Sequence, residues 1–282
     1  MRMLGAMAAI CLSSLAFAAA PTPIQIGVAH QIVSKPLGET RVVNIVLPAS
    51  YAKGSSRRYP VIYLIDGGVD QDLIHVAGTV LLGAMWGRSQ EAIVVGVETK
   101  DRRRELVGPT RDPALLKKYP TAGKSAAFRA YLRDEVKPMV AANYRTSGRD
   151  VVVGESLAGL FIVETYLAEP GLFGGYAAIS PSLWWDDEAL SKAFADKIGK
   201  GQSGHPLYLT IGDEGTTMQA GVDRVVAGLP RAGTAWCYAP RPDLTHATIY
   251  HTVLPTALQF LLPPSEAPAP EFGFEVRCSV KS

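Results

Sequence analysis

The sequence predicts an α/β fold, a mostly parallel central sheet with helices on both faces and a leading antiparallel hairpin. Three observations carry that expectation. From residue 59 to residue 262, short runs of β-branched and aromatic residues alternate with stretches of helical periodicity. The run Tyr59 to Ile65 and the run Ala92 to Val97 are apolar almost throughout, as parallel strands buried on both faces require. Ahead of them, Ile24 to Val33 and Arg41 to Leu47 have strand character on either side of the turn Lys35-Pro36-Leu37-Gly38, which reads as a hairpin.

The elements follow in order. Leu73 to Met85 suits a helix between the first two buried strands. Val97 to Pro120 is rich in turn residues and charges and is expected to be a long surface loop of the kind that lines a site. Phe128, Tyr131, Leu132, Val136 and Met139 recur at three- and four-residue spacing, which makes Ser125 to Val140 an amphipathic helix. After the strand Val151 to Val153 come strands at Tyr176 to Ser180, Pro206 to Ile211 and Thr234 to Tyr238. Helices at Asp187 to Ile198, Met218 to Leu229 and Ile249 to Leu262 alternate with them. Leu262 to Pro270 is Pro-rich, and Phe272, Phe274, Val276, Cys278 and Val280 then alternate as in a strand. The chain therefore divides into a leader over 1–18, an α/β domain over 19–262, and a Pro-rich linker with a strand-like extension over 263–282.

A chain of 282 residues, 48% hydrophobic and 19% charged, is long enough for one large core. Its net charge of +2 leaves no electrostatic footprint for nucleic acid or an acidic membrane. Arg2, the uncharged stretch Met3 to Phe17 and the small-x-small site Ala16-Phe17-Ala18 form a secretory signal pattern. The apolar stretch is shorter than the roughly 20 residues of a membrane-spanning helix. The expected location is periplasmic or secreted, with no membrane attachment after cleavage. Removal of the leader leaves Cys237 and Cys278, which in an exported protein are expected to pair, two free buried thiols being the other arrangement. No metal or cofactor is expected, because the chain lacks His-x-x-x-His, Cys-x-x-Cys and P-loop spacings.

The chemistry is concentrated at Val151-Val-Val-Gly-Glu-Ser-Leu-Ala-Gly-Leu-Phe161. A buried strand, a tight turn and a helix start make a nucleophile elbow around Ser156. Such a turn holds its serine in a strained conformation, so the residues two before and two after must be nearly free of side chain; Gly154 and Ala158 meet that demand. A serine nucleophile needs a base, and the base a carboxylate to orient it. In α/β-hydrolases these follow in the order serine, acid, histidine, each after a strand. Asp213 and Glu214 follow the strand ending at Ile211, and His246 follows the strand ending at Tyr238. Glu214 is preferred to Asp213, with a Ser-His dyad lacking an acid as a third arrangement. Of the other histidines, His30 lies in the hairpin, His75 in a helix, and His205 at the wrong end of a strand. His251 is the competitor, but five helical residues turn it about 140° from His246, so both cannot face one serine. Oxyanion donors are expected from the N–H of Leu157, which opens the helix, and from Gly68 in Asp66-Gly67-Gly68.

Tyr59-Pro-Val-Ile-Tyr-Leu-Ile-Asp-Gly67, Val153-Gly-Glu-Ser-Leu-Ala-Gly159, Ala178-Ile-Ser-Pro-Ser-Leu-Trp-Trp185 and the late His246 resemble the esterase family of the α/β-hydrolases that includes esterase D, feruloyl esterases, mycolyltransferases and enterobactin-type siderophore esterases. The similarity spans about Ile24 to Leu262. It implies a serine esterase mechanism on a small-molecule ester, with Ser156, Leu157, Gly68 and His246 on the family's motif positions, and it favours His246 over His251. Siderophore-esterase members include dyads, so Glu214 is the carry-over the resemblance supports least. Trp184 and Trp185 stand on the catalytic rim, either as stacking surface for an aromatic acyl group or with one ring in the core. Lys100 to Arg104 and Arg111 read either as a solvated charge run or as recognition of an anionic substrate. Together they suit a bulky aromatic ester, such as a siderophore, better than an acetyl ester. The alternatives are acyl transfer to an acceptor other than water, and a binding protein on the hydrolase fold without turnover.

Overall fold

The computed structural model describes residues 21–51 and 56–281. The predicted signal peptide lies outside the described residues, apart from which every expected element has a counterpart. Strands β1 (Val28–Ser34) and β2 (Glu39–Val46) form the leading hairpin, with Gly38 at φ 69° in its turn. Then follow β3 (Tyr59–Ile65), α1 (Leu73–Met85), β4 (Ile93–Val97), α2 (Arg102–Glu105), α3 (Pro113–Lys118), α4 (Ser125–Tyr131) and α5 (Lys137–Asn143). The second half holds β5 (Thr146–Glu155), α6 (Leu157–Ala168), β6 (Tyr176–Ile179), α7 (Trp185–Lys192), α8 (Phe194–Lys197), β7 (Leu207–Thr210), α9 (Thr216–Gly228), β8 (Trp236–Tyr238), α10 (His246–Leu261) and β9 (Val280–Lys281).

These strands form one sheet in the order β1-β2-β4-β3-β5-β6-β7-β8-β9. The six strands β4, β3, β5, β6, β7 and β8 run parallel, while β1, β2 and β9 pair antiparallel at the edges. This is the α/β-hydrolase architecture. Alternate residues of β3 explain its unbroken apolarity: Val61, Tyr63 and Ile65 pack on the side of α4 and α6, and Ile62 and Leu64 on the side of α1 and α10. Helix α6 is buried almost all round, from Leu157 to Tyr166, because it sits under the sheet centre with other helices outside it.

Four expectations are corrected in detail. The segment expected as a surface loop after β4 carries α2 and α3, and Glu105, Leu106 and Val107 are buried in it. A bidentate pair holds it down: the wholly buried Arg41 of β2 donates from Nη1 and Nη2 to Glu105 Oε1 and Oε2, each at 2.8 Å. The helix expected over Ser125 to Val140 contains one π-helical turn, Leu132–Val136. The helix expected from Asp187 begins with a left-handed turn, Asp186, Asp187 and Glu188 at φ 52°, 51° and 61°, tied by Thr110–Asp186 and Arg224–Glu188 contacts. The strand-like extension is a strand only at Val280–Lys281; before it the chain crosses the outside of α10 without ladder partners. Cys278 nonetheless reaches β8, and Cys237–Cys278 is a disulfide.

Candidate active site

Residues from the segments that follow five strands, β4 to β8, meet at the C-terminal edge of the parallel strands, where an open α/β sheet presents its crevice. The cleft there has a volume of about 630 Å³. Ser156 stands at its floor with φ 62° and ψ −118°, a conformation that few non-glycine residues adopt. The surrounding structure enforces it. Ser156 N donates to Ile179 O at 3.0 Å, and Ser156 O accepts from Leu160 N and Ser182 N, each at 2.9 Å. The sharp turn leaves no room beside it: a Cβ on Gly154 would lie 2.6 Å from the Ala158 Cβ, and one on Gly159 would lie 2.8 Å from Ile179 O. Sequence reasoning expected small residues at 154 and 158, and the space a side chain at Gly154 would take is filled by the Ala158 methyl.

Glu214 and His246 are brought together by the loops after β7 and β8. Gly212 bridges to Arg241, and Asp213 N donates to Leu244 O at 2.7 Å. That contact turns Glu214 inward and leaves Asp213 exposed. His246 is the first residue of α10, whose start is fixed by the reciprocal capping of Thr245 and Thr248. Its Nδ1–H donates to Glu214 Oε2 at 2.6 Å, while Glu214 Oε1 accepts from the Ser180 hydroxyl. Ser156, Glu214 and His246 all line the cleft. His251 lies on another side of α10, its ring edge-on to His75 of α1 at 5.6 Å between centroids.

Electrostatics follow from this placement. Burial pushes Glu214 up, but hydrogen bonds from His246 and Ser180 and the His246 charge hold its carboxyl below the usual range. For His246 the hydrogen bond to Glu214 comes first and raises it, against burial, with the Glu214 and Glu155 charges adding to the rise. Glu155, next to Ser156, is pushed up to about 7 by burial and by the charges of Asp72 and Glu214, against the pull of His246 and Arg102. Asp72 is pushed up to about 6, chiefly by burial and by Asp66.

The remaining expected residues divide. Leu157 opens α6 and lines the cleft, so its N–H is among those without an intrahelical acceptor. The Gly68 N–H donates to Gln71 Oε1 at 2.9 Å, and an oxyanion would have to displace that side chain to use it. Trp184 lines the cleft. Trp185 does not: it is 4% exposed, with Nε1–H donating to Gly108 O at 3.0 Å, so it supports the wall from behind. Arg111 is exposed between α2 and α3 and is not part of the lining, because the buried Arg41–Glu105 pair presents Arg102 and Arg103 instead. Arg102 is anchored on Asp66, Nε to Oδ2 at 2.9 Å. The Arg103 guanidinium lies 4.8 Å from the Tyr119 ring centre and 5.7 Å from that of Trp184.

Sequence reasoning missed three groups. Ser182 Oγ lies 3.2 Å from Ser156 Oγ, Ser180 holds Glu214, and Met218 lines the cleft. The two serines belong to Ser180-Pro181-Ser182, a signal visible only as a motif; the helical position of Met218 carries none.

Residues 34–227 match a family model described as "Putative esterase". The chain is similar to the ferri-bacillibactin esterase BesA of Bacillus subtilis, 28% identical over 174 residues, which are 55% of this chain and 58% of that protein. It is also similar to a siderophore triacetylfusarinine C esterase of Aspergillus fumigatus, 25% identical over 65% of this chain and 67% of the other. The aligned part thus spans under two thirds of the Bacillus relative. Among solved structures, an IroE-like serine hydrolase from Shewanella oneidensis superposes with a TM-score of 0.73 at 24% identity, covering 84% of this chain and 80% of that one.

Proposed function

The chain belongs to the esterase family whose model covers residues 34–227, and from that premise we propose that it hydrolyses carboxylic esters through an acyl-Ser156 intermediate. The observation that carries the reading is the strained Ser156 sharing one cleft with the Glu214–His246 pair. His246 accepts the Ser156 hydroxyl proton at Nε2 as Oγ attacks the ester carbonyl, and Glu214 stabilises the imidazolium through Nδ1–H. The Leu157 N–H, joined by that of Gly68 once Gln71 yields, receives the oxyanion. The tetrahedral adduct then expels the alkoxide, which takes the proton from His246. Water, deprotonated by the same imidazole, releases the carboxylic acid and restores Ser156.

The substrate is a bulky anionic ester of siderophore type. Trp184 offers a face for aromatic stacking, and Arg102 and Arg103 place positive charge on the same wall. The names of the Bacillus and Aspergillus relatives support this class. Export through the leader at residues 1–18 fits with it, as does the Cys237–Cys278 disulfide, since such bridges persist in oxidising compartments.

The test is labelling with a fluorophosphonate followed by peptide mass spectrometry. The modification is expected on Ser156 and is expected to vanish in Ser156→Ala; an unlabelled wild-type protein would overturn the reading. Turnover of nitrophenyl esters with and without added alcohols separates hydrolysis from acyl transfer.

A further inference from the structure

Helices α1 and α10 pack side by side on the face of the sheet opposite α6. The C-terminal segment crosses them and is held there at several points. Gln259 Nε2 donates to Phe274 O at 3.0 Å, Ser279 N donates to Tyr238 O at 2.8 Å, and the disulfide fixes Cys278 to β8. Between this segment and the two helices lies a groove of about 540 Å³, within the range of small-molecule sites. None of its lining residues belongs to the cleft around Ser156.

The groove has an aromatic wall and a cation. Trp86 and Phe272 meet edge to face at 5.7 Å, and Phe272 lies 5.7 Å from Phe274. Trp86 stays 51% exposed and Phe272 43%, so each ring keeps apolar surface in water that a ligand would cover. Arg88 lies over the Phe274 ring at 5.1 Å. Its hydrogen bonds go to neutral groups, Nε to Gln259 Oε1 at 3.1 Å and Nη2 to Thr256 Oγ1 at 2.9 Å. Among the described residues it forms no ion pair with a carboxylate. A guanidinium has five N–H donors in a planar fork, so Arg88 retains donors for an anion. A half-buried cation with neutral partners beside unfilled aromatic surface is complementary to a molecule with an anionic head and an apolar body.

We propose that this groove binds an amphipathic anion, an aryl or acyl carboxylate, with its head on Arg88 and its body against Trp86, Phe272 and Phe274. The site is separate from the catalytic cleft and does not depend on the reaction assigned to it.

Isothermal titration of the full chain with 2-naphthoate, and with the uncharged 2-naphthamide, tests the proposal. Naphthoate is expected to bind at least about tenfold more tightly than the amide, and Arg88→Gln to weaken it about tenfold, the effect of one lost charge-assisted contact. Phe274→Ala, in the exposed segment and harmless to the core, is expected to weaken both probes. Trp184→Ala, in the catalytic cleft, is expected to change neither. Binding lost in Trp184→Ala but kept in Arg88→Gln and Phe274→Ala would place the probe in the catalytic cleft and overturn the proposal, as would no binding at about 1 mM. Sedimentation giving a dimer that Phe272→Asp splits would assign the groove to a second copy of the chain and overturn it equally.

Discussion

Glu214 binds His246 with one carboxylate oxygen, at 2.6 Å from Nδ1, and the Ser180 hydroxyl with the other. The Glu214 carboxylate is thus held from both sides, while its neighbour Asp213 stays exposed on the cleft lining. Glu214→Gln should lower kcat/KM by about 10³-fold, since the amide holds the ring less well and does not stabilise its cation. Asp213→Asn should stay within about threefold of wild type. The pH profile sharpens the test. The active form has neutral His246, and the raised His246 places the acid limb of kcat/KM above the ordinary histidine value of 6.5. Removing the Glu214 charge should move that limb to lower pH.

Glu155 is expected to make stability depend on pH in a particular window. Its folded value, about 7, lies above the ordinary 4.5, so the folded state holds a proton that the unfolded state has already released between those values. Stability from this group therefore falls as pH rises from about 4.5 to about 7. Urea midpoints across that window should decline less steeply in Glu155→Gln than in wild type; parallel slopes would contradict the assignment.

Substrate reading is expected from Trp184 and Arg103 and not from Arg111. Trp184→Ala and Arg103→Ala should each raise KM about tenfold for a bulky anionic aryl ester, as expected for one lost stacking or charged contact, and change KM for nitrophenyl acetate by less than about twofold. Arg111→Ala should leave both substrates unaffected. A loss confined to Arg111→Ala would contradict the placement of substrate contacts on Trp184 and Arg103.

At the elbow, Gly154→Ala would set a methyl 2.6 Å from the Ala158 Cβ. A cost of about 1–3 kcal/mol in unfolding free energy is expected from this overpacking. Activity should fall further than stability, because the clash displaces Ser156. Ala158→Gly removes one of the two facing carbons, and the double variant should recover part of the loss.

The disulfide closes a loop across 41 positions. In the chain-entropy model that restraint is worth about 4 kcal/mol. Cys278→Ser should lower stability by about 2–4 kcal/mol in urea unfolding, and dithiothreitol should reproduce the loss in wild type but add nothing in the variant.

Much of this protein is legible in one dimension because its information is local. Strands apolar on both faces can only be interior to a covered parallel sheet, and Tyr59–Ile65 and Ile93–Val97 are so. The small residues around Ser156 report a turn whose strain is set within a few residues. The order of Ser156, Glu214 and His246 is likewise a property of the chain.

What the sequence by itself determined was therefore the α/β layering, the elbow and the set of residues able to form a serine–histidine–carboxylate arrangement. Tertiary structure alone decided between near neighbours. Glu214 and Asp213 are chemically equivalent in a list, and only the contact of Asp213 N with Leu244 O turns one inward. Trp184 and Trp185 are likewise equivalent until Gly108 O captures the indole N–H of the second. Arg111 gives way to Arg102 and Arg103 because a buried ion pair between Arg41 and Glu105, 64 residues apart, sets which part of the loop faces the cleft. The physical reason is common to all three: side-chain direction depends on contacts between segments distant in sequence, and no local pattern encodes them.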